Sequence, residues 1–175
     1  MSKTEDHLKE AFAGESQARN KYTFFAQVAR KEGYHYIAKI LEETAENERR
    51  HAKDEFALLG GLGDTAANLK AAMEGEQYET VTMYPEFAKD AEAEGNIKAA
   101  ALFRMIARVE EHHRARYQKL LDRIKNGTVF KREKPIRWKC SVCGYIHEGT
   151  EPPQKCPCCQ HRLEYYEPAD METDI

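Results

Sequence analysis

The chain is 175 residues long, 33% of them Asp, Glu, Lys or Arg, with a formal net charge of −3. That balance gives no sign of the strong positive footprint that nucleic acids or anionic membrane surfaces require. No stretch approaches the ~20 apolar residues of a membrane-spanning helix. The start, Ser2-Lys3-Thr4-Glu5-Asp6, lacks the apolar core of a signal peptide, so a cytoplasmic location is expected.

Residues 4 to 125 read as helix nearly throughout. The first helix begins at Ser2, with Glu5 completing a capping box. It carries the apolar stripe Leu8, Phe12, Ala18, Tyr22, Ala26, Ala29 before Gly33 ends it. The second stripe is Ile37, Ile40, Leu41, Thr44, Ala52, Phe56, Leu59, broken by Gly60-Gly61-Leu62-Gly63-Asp64. The third, Leu69, Ala72, Met73, Met83, Phe87, Ala91, is less regular and contains Pro85, which predicts a kink or break near Tyr84. Gly95-Asn96 precedes the fourth stripe: Ala99, Phe103, Ile106, Ala107, Tyr117, Leu120, Leu121, Ile124. Asn126-Gly127 stops it. Short loops between helices one and two, and three and four, imply two antiparallel hairpins.

After Gly127 the pattern changes. Prolines 135, 152, 153, 157 and 168 make long helices improbable, and some 40 residues are too few for a sizeable core. The expected organisation is a helical bundle over 1–127, a linker over 128–136 and a small metal-held domain over 137–175.

The informative residues interrupt the apolar stripes. Glu15 lies three after Phe12, Glu48 four after Thr44, Glu76 four after Ala72, and Glu110 four after Ile106. Side chains three or four apart share a helical face. His51 and His113 each follow a glutamate by three, and Glu79 follows Glu76 by three. A single Glu-x-x-His is weak evidence, and a third instance, Glu32-Gly33-Tyr34-His35, straddles a helix break. The same interruption on four helices in register is not weak. Buried carboxylates are severely unfavourable unless positive charge compensates them. Carboxylate and imidazole donors suit iron or manganese. One Glu from each of two helices and Glu-x-x-His from each of the other two is the donor pattern of ferritin-like di-iron proteins. Glu79 is then an extra acid. His112 and Glu111 point elsewhere on their helix and read as surface residues. Tyr22 and Tyr84 are either core aromatics or hydrogen-bond partners of the ligand carboxylates.

All five cysteines fall between Cys140 and Cys159. Cys140-x-x-Cys143 and Cys156-x-x-Cys159, twelve residues apart, form a strong four-thiolate signal. Cys158 is spare. Zinc and a single iron both accept tetrahedral sulfur; a neighbouring redox centre that needs electrons favours iron. Trp138, Tyr145 and Ile146 are expected to pack around the sulfurs.

Several stretches together resemble the rubrerythrin family over nearly the whole chain. They are Gly14-Glu15-Ser16-Gln17-Ala18-Arg19-Asn20 with Tyr22, Glu48 through His51-Ala52, and Gly75-Glu76 and Glu79 leading to Met83-Tyr84-Pro85. Glu110-Glu111 with His113 continues the match, as do Trp138, Cys140, Cys143-Gly144-Tyr145 and His147-Glu148-Gly149. Ferritins share the helical acids but lack the cysteine tail. The resemblance implies a mainly α fold, a ferritin-like four-helix bundle followed by a small rubredoxin-like β/loop domain. It implies two non-haem irons in the bundle, an iron in the four-cysteine site, and reduction of hydrogen peroxide to water. By the same resemblance Glu48 and Glu110 bridge the irons, Glu15 serves one, and Glu76 and His113 serve the other. Glu79 exchanges for His51 when the centre is reduced. It also implies an external reductase or rubredoxin as electron donor, and a head-to-tail homodimer. Glu110 lies about 15 residues, or roughly 20 Å, before the end of its helix, so a second chain's cysteine domain would come closer than the chain's own. The chain departs from the family at Gln77 and Tyr78, where relatives can carry histidines, and at Cys158, which is not a ligand position. The rival expectation is ferritin-like ferroxidase or iron-handling activity, with the same helical ligands.

Overall fold

The computed structural model of the chain describes residues 2–171. The last four residues of the expected 137–175 domain, and Met1 of the expected bundle, lie outside them. The chain divides into two compact units, Met1–Gly63 and Asp64–Ile175. It is mainly α, with helical hairpins of ferritin-like character and a small strand-containing, cysteine-rich C-terminal region. No helix among the described residues is long and apolar enough to cross a membrane.

The first unit is a hairpin of α1 (Lys3–Lys31) and α2 (His35–Leu58). Ser2 caps α1 as its position predicts, its hydroxyl accepting the Glu5 N–H at 3.2 Å. Glu5 and Asp6 in the first turn and Arg30 and Lys31 in the last complement the helix dipole. Gly33, at φ +87°, makes the left-handed turn between the helices. The seam between them is small: Ala26, Ala29, Ala38, Ala45 and Ala52 are the buried residues. Alanine at these positions lets the helices approach closely, and Arg30 ties them at the rim through both oxygens of Glu42 at 2.6 and 2.5 Å. At the other end Phe12 stacks on Phe56 with centroids 5.0 Å apart. Gly61 makes room beneath that pair: a Cβ there would fall 2.2 Å from the Phe56 ring and would have to displace it.

The second unit opens with α3 (Thr65–Tyr78), capped by Asp64, whose side chain accepts the Ala67 N–H at 2.8 Å. A π-helical segment, Glu79–Met83, follows and leads into α4 (Tyr84–Ala93). The expected third helix is therefore two helices joined by one wide turn, and the break near Tyr84 takes this form. Pro85 has no N–H and its ring crowds the carbonyl four residues back. The wide turn accommodates both, with the Tyr84 N–H reaching back five residues to the Glu79 carbonyl. The turn also explains the irregular stripe. At about 100° per residue, Ala88 would sit roughly 100° around from Leu69 in an unbroken α-helix. Taking up one residue in the wide turn returns Ala88 and Ala91 to the stripe, and both are buried. The last helix, α5 (Ile97–Lys125), is capped by Asn96 and ends at Gly127, φ +66°.

Three short strands complete the unit: β1 (Ile136–Cys140), β2 (Ile146–Gly149) and β3 (Tyr166–Pro168), antiparallel in the order β2-β1-β3. The register sets Trp138 opposite His147 and Pro168, and Cys140 opposite Tyr166. Trp138, Cys140, Cys156 and Tyr166 form a closed core, with Ile136 and Cys159 packed on it. The indole N–H of Trp138 donates to the Gly149 carbonyl at 3.0 Å.

Candidate metal centres

Each helical hairpin carries three of the expected ligands side by side. In the first unit Glu15, Glu48 and His51 bring a donor atom each to within 4.8 Å of one another. His51 Nδ1 lies 2.9 Å from Glu48 Oε2 and 3.9 Å from Glu15 Oε1. In the second unit Glu76, Glu110 and His113 do the same. There His113 Nδ1 is 2.7 Å from Glu110 Oε2 and 3.7 Å from Glu76 Oε1. The two trios have the same composition and nearly the same distances because the same local rule builds both. Glu and His three apart on one helix share a face, and a glutamate from the antiparallel neighbour meets them.

Electrostatics mark both trios as short of positive charge. Glu15 is raised above the usual carboxylate range by sharing a hydrogen bond with Glu48, then by burial and the neighbouring negative charges. Glu76 is raised by burial first, then by its hydrogen bond and repulsion with Glu110. A cation between such crowded carboxylates would relieve their mutual repulsion. The donor chemistry, two carboxylates and one imidazole per trio, fits iron.

The remaining helical candidates are placed unequally. Glu79 stands at the start of the π segment, and its charge acts on Glu76 and Tyr84 without its joining the clustered donors. Tyr84 packs on Phe87 and Phe103, and its hydroxyl is raised by burial and then by the charges of Glu79, Glu110 and Glu76. Tyr22 is half-buried on α1 with its ring against Phe25. His112 and Glu111 are exposed, as expected. One acid escaped the sequence reading. Glu55, two helical turns past Glu48 and so on its face, raises Glu15 and has a buried carboxylate oxygen without a partner. The i, i+7 spacing from Glu48 was the available signal.

The four-cysteine set closes fully. Cys140, Cys143, Cys156 and Cys159 bring their sulfurs together, with Cys140–Cys159 at 3.7 Å and Cys143–Cys156 at 3.6 Å. A tetrahedron with metal–sulfur bonds of about 2.3 Å has edges of about 3.8 Å, whereas a disulfide is near 2 Å. The spacing fits a single tetrahedral ion. Although burial opposes its ionisation, Cys156 is held down at about 6 by the Tyr166 hydroxyl and the backbone N–H groups of Cys159 and Cys158. The Tyr166 hydroxyl is buried, makes no hydrogen bond of ordinary geometry, and interacts with the Cys156 sulfur. The expected wall of Tyr145 and Ile146 is a correction: both are exposed. They flank the hairpin turn, and Tyr145 serves through its backbone, its carbonyl accepting the Cys140 N–H at 2.8 Å. Trp138, Ile136 and Tyr166 form the wall instead. Cys158 is exposed and outside the set.

Comparison with known proteins identifies the family. The family model described as Rubrerythrin matches residues 6–121, and that described as Rubrerythrin, rubredoxin-like domain matches residues 138–167. A rubrerythrin of Porphyromonas gingivalis is 49% identical, covering 99% of this chain and 92% of its own. Rubrerythrin-1 of Clostridium acetobutylicum is 48% identical over 95% of this chain and 94% of its own. A solved structure of nigerythrin in its fully reduced, all-ferrous state is 34% identical over 96% of this chain and 87% of that one, with a TM-score of 0.38. Donor sets for a di-iron carboxylate centre and for a four-thiolate ion, matched by the family over nearly the whole length, show that the chain belongs to the rubrerythrin family.

Proposed function

We propose that the chain is a non-haem di-iron peroxidase that reduces hydrogen peroxide to water, with electrons relayed through its rubredoxin-like centre. One observation carries the reading: two matched carboxylate–imidazole trios and a complete four-thiolate site occur on one chain. When bound, the paired irons supply Lewis acidity and one electron each to the O–O bond. Hydrogen peroxide, two electrons and two protons give two waters.

The chain's own groups do the rest. Glu15, Glu48, Glu76, Glu110 and His113 would hold the irons, with Glu48 and Glu110 as the shared carboxylates. Glu79 and His51 are the exchangeable pair. In support, His51 is the most exposed of the six clustered ligands, at 56%, and Glu79 sits in the widened turn of the π segment. Tyr84 holds a hydroxyl proton beside the second trio, and Tyr22 is its proposed counterpart on α1. Cys140, Cys143, Cys156 and Cys159 hold the relay ion as iron. The domain limits follow as 1–127, 128–136 and 137–175, with an external reductase or rubredoxin feeding the relay in the cytoplasm, and a homodimer as the working unit.

The ferroxidase reading uses the same trios but leaves the four-cysteine site idle. Anaerobic titration of the reduced protein with peroxide separates the two. One peroxide consumed per two electrons, with no ferric mineral, is expected. Glu48→Ala and Glu110→Ala must each lose turnover by at least 100-fold. Retained turnover in either, or a growing mineral core, would defeat the peroxidase reading.

A further inference from the structure

We infer that the Tyr166 hydroxyl sets the reduction potential of the relay ion, by donating to the Cys156 thiolate a hydrogen bond that strengthens when the bound iron takes up an electron. Tyr166 is then a positioning residue for electron transfer, acting on the ion through one of its ligands. The inference rests on reading the four-cysteine site as an iron relay.

The β1–β3 pairing sets Tyr166 opposite Cys140, and both share the closed core with Trp138 and Cys156. Tyr166 is 4% exposed, and Cys140 and Cys156 are fully buried. Phenylalanine would fill nearly the same volume there. The hydroxyl instead carries a polar oxygen into the core, where it has no hydrogen-bond partner of ordinary geometry among the described residues. A hydroxyl buried in that way is unfavourable. The Cys156 sulfur is the acceptor it meets. Burial, and then that sulfur, push its ionisation well above the usual tyrosine range, so the proton stays on oxygen. A hydroxyl proton turns about the C–O bond, so it can be aimed at the sulfur when negative charge grows there.

Reduction makes that charge grow. One electron converts ferric to ferrous iron while all four thiolates stay bound, so the set becomes more negative by one charge. A donor on a thiolate therefore stabilises the ferrous form more than the ferric form and raises the potential. Its location matters as well. Cys143 is exposed and can take hydrogen bonds from water, whereas Cys156 is buried and cannot. The backbone supplies other donors: the N–H of Tyr145 to Cys143, that of His161 to Cys159, and those of Cys159 and Cys158 to Cys156. Backbone donors come with the path of the chain, whatever the side chains. The Tyr166 hydroxyl comes from one side chain, on the side that water does not reach. It biases the relay toward its ferrous form, from which electrons leave for the helical irons.

The test is a spectroelectrochemical titration of the iron-loaded full-length protein, following the thiolate-to-iron absorption under argon. Tyr166→Phe should lower the ferrous-to-ferric ratio at a fixed potential about tenfold, a midpoint shift of about 59 mV for one electron. Tyr165→Phe removes an exposed neighbouring hydroxyl and should leave the midpoint in place. A ring-fluorinated tyrosine at position 166, a stronger donor of similar shape, should raise it. A role in packing alone would not give shifts of opposite sign, and this arm decides the matter if Tyr166→Phe fails to hold its ion. A Tyr166→Phe ratio within threefold of wild type, an equal fall in Tyr165→Phe, or a fluorinated midpoint at or below wild type would overturn the inference. If the shifts appear but the wild-type relay passes no electrons to peroxide, the peroxidase reading fails and this one stands.

Discussion

Trp138→Phe tests whether the metal is what folds the C-terminal domain. Trp138 is fully buried against Cys140, Cys156 and Tyr166, donates to the Gly149 carbonyl, and has the Arg132 guanidinium 5.0 Å from its ring. Phenylalanine keeps an aromatic ring but leaves that carbonyl without its donor, a loss of about 1–3 kcal/mol. The smaller ring opens a gap worth about 1 kcal/mol, and the weaker cation–π contact adds about 0.5 kcal/mol. The total is about 3 kcal/mol. If the domain is unfolded without its ion, folding and metal binding are one equilibrium. The whole loss then appears as metal affinity, roughly a 100-fold weakening at about 1.4 kcal/mol per tenfold.

Competition with a chelator, followed by the thiolate-to-iron absorption, measures this directly. The helical circular dichroism of the same samples should not change, because the substitution touches none of α1–α5. An affinity within threefold of wild type would refute the reasoning. It would mean either that the domain stands without its ion or that Trp138 does not carry its core.

Other substitutions probe the helical units. Ala38→Leu forces a large side chain into a seam where Ala38 is fully buried; overpacking should cost about 1–3 kcal/mol in thermal unfolding, and an unchanged melting temperature would count against the close seam. Glu55→Gln removes a charge beside Glu15 and a buried, unpartnered carboxylate oxygen. It should raise the melting temperature of the metal-free protein slightly, by less than about 1 kcal/mol, and a clear fall would show that Glu55 has a supporting partner. Deleting Val81, which is exposed within the π segment, should restore a continuous α-helix with Ala88 and Ala91 still inward. Pro85 then enters a regular helical turn, so the protein should lose about 3 kcal/mol of stability, and peroxide turnover should fall at least tenfold because Glu79 moves. An unchanged melting temperature would mean that the wide turn does not serve Pro85; full turnover would mean that the position of Glu79 does not matter.

The ligands were legible because they break a pattern that chemistry otherwise enforces. Glu15 stands where the α1 stripe calls for an apolar side chain, and Glu48 and Glu110 do the same on α2 and α5. The helix ends were legible from Ser2, Gly33, Asn96 and Gly127, each with a local backbone or capping role. The π segment was not. Its presence depends on where Ala88 and Ala91 must point to meet α5, and the sequence carries only the indirect trace of an uneven stripe. The wall of the thiolate site failed for a similar reason. Tyr145 and Ile146 are neighbours of Cys143 in the chain, whereas Tyr166 reaches Cys140 through the β1–β3 pairing. Glu55 looked like one more charge on an exposed helix, and only the approach of Glu15 from α1 gives it a role.

The helices and the C-terminal domain each bury little apolar surface, and they answer that shortage differently. In the domain the largest fully buried side chains are Trp138, Cys140 and Cys156, so core and metal site are the same object. A few strands are enough because the ion stands in for the missing volume. In the helices the seams are alanine and the middle of each hairpin is acidic, so packing and ligation are separated. Close helix approach aligns the carboxylates, but it crowds their negative charges. Bound cations relieve that crowding, which packing alone would make worse by burying carboxylates against carboxylates. Loading iron should therefore stabilise each hairpin at its acidic middle, where its apolar seam is thinnest.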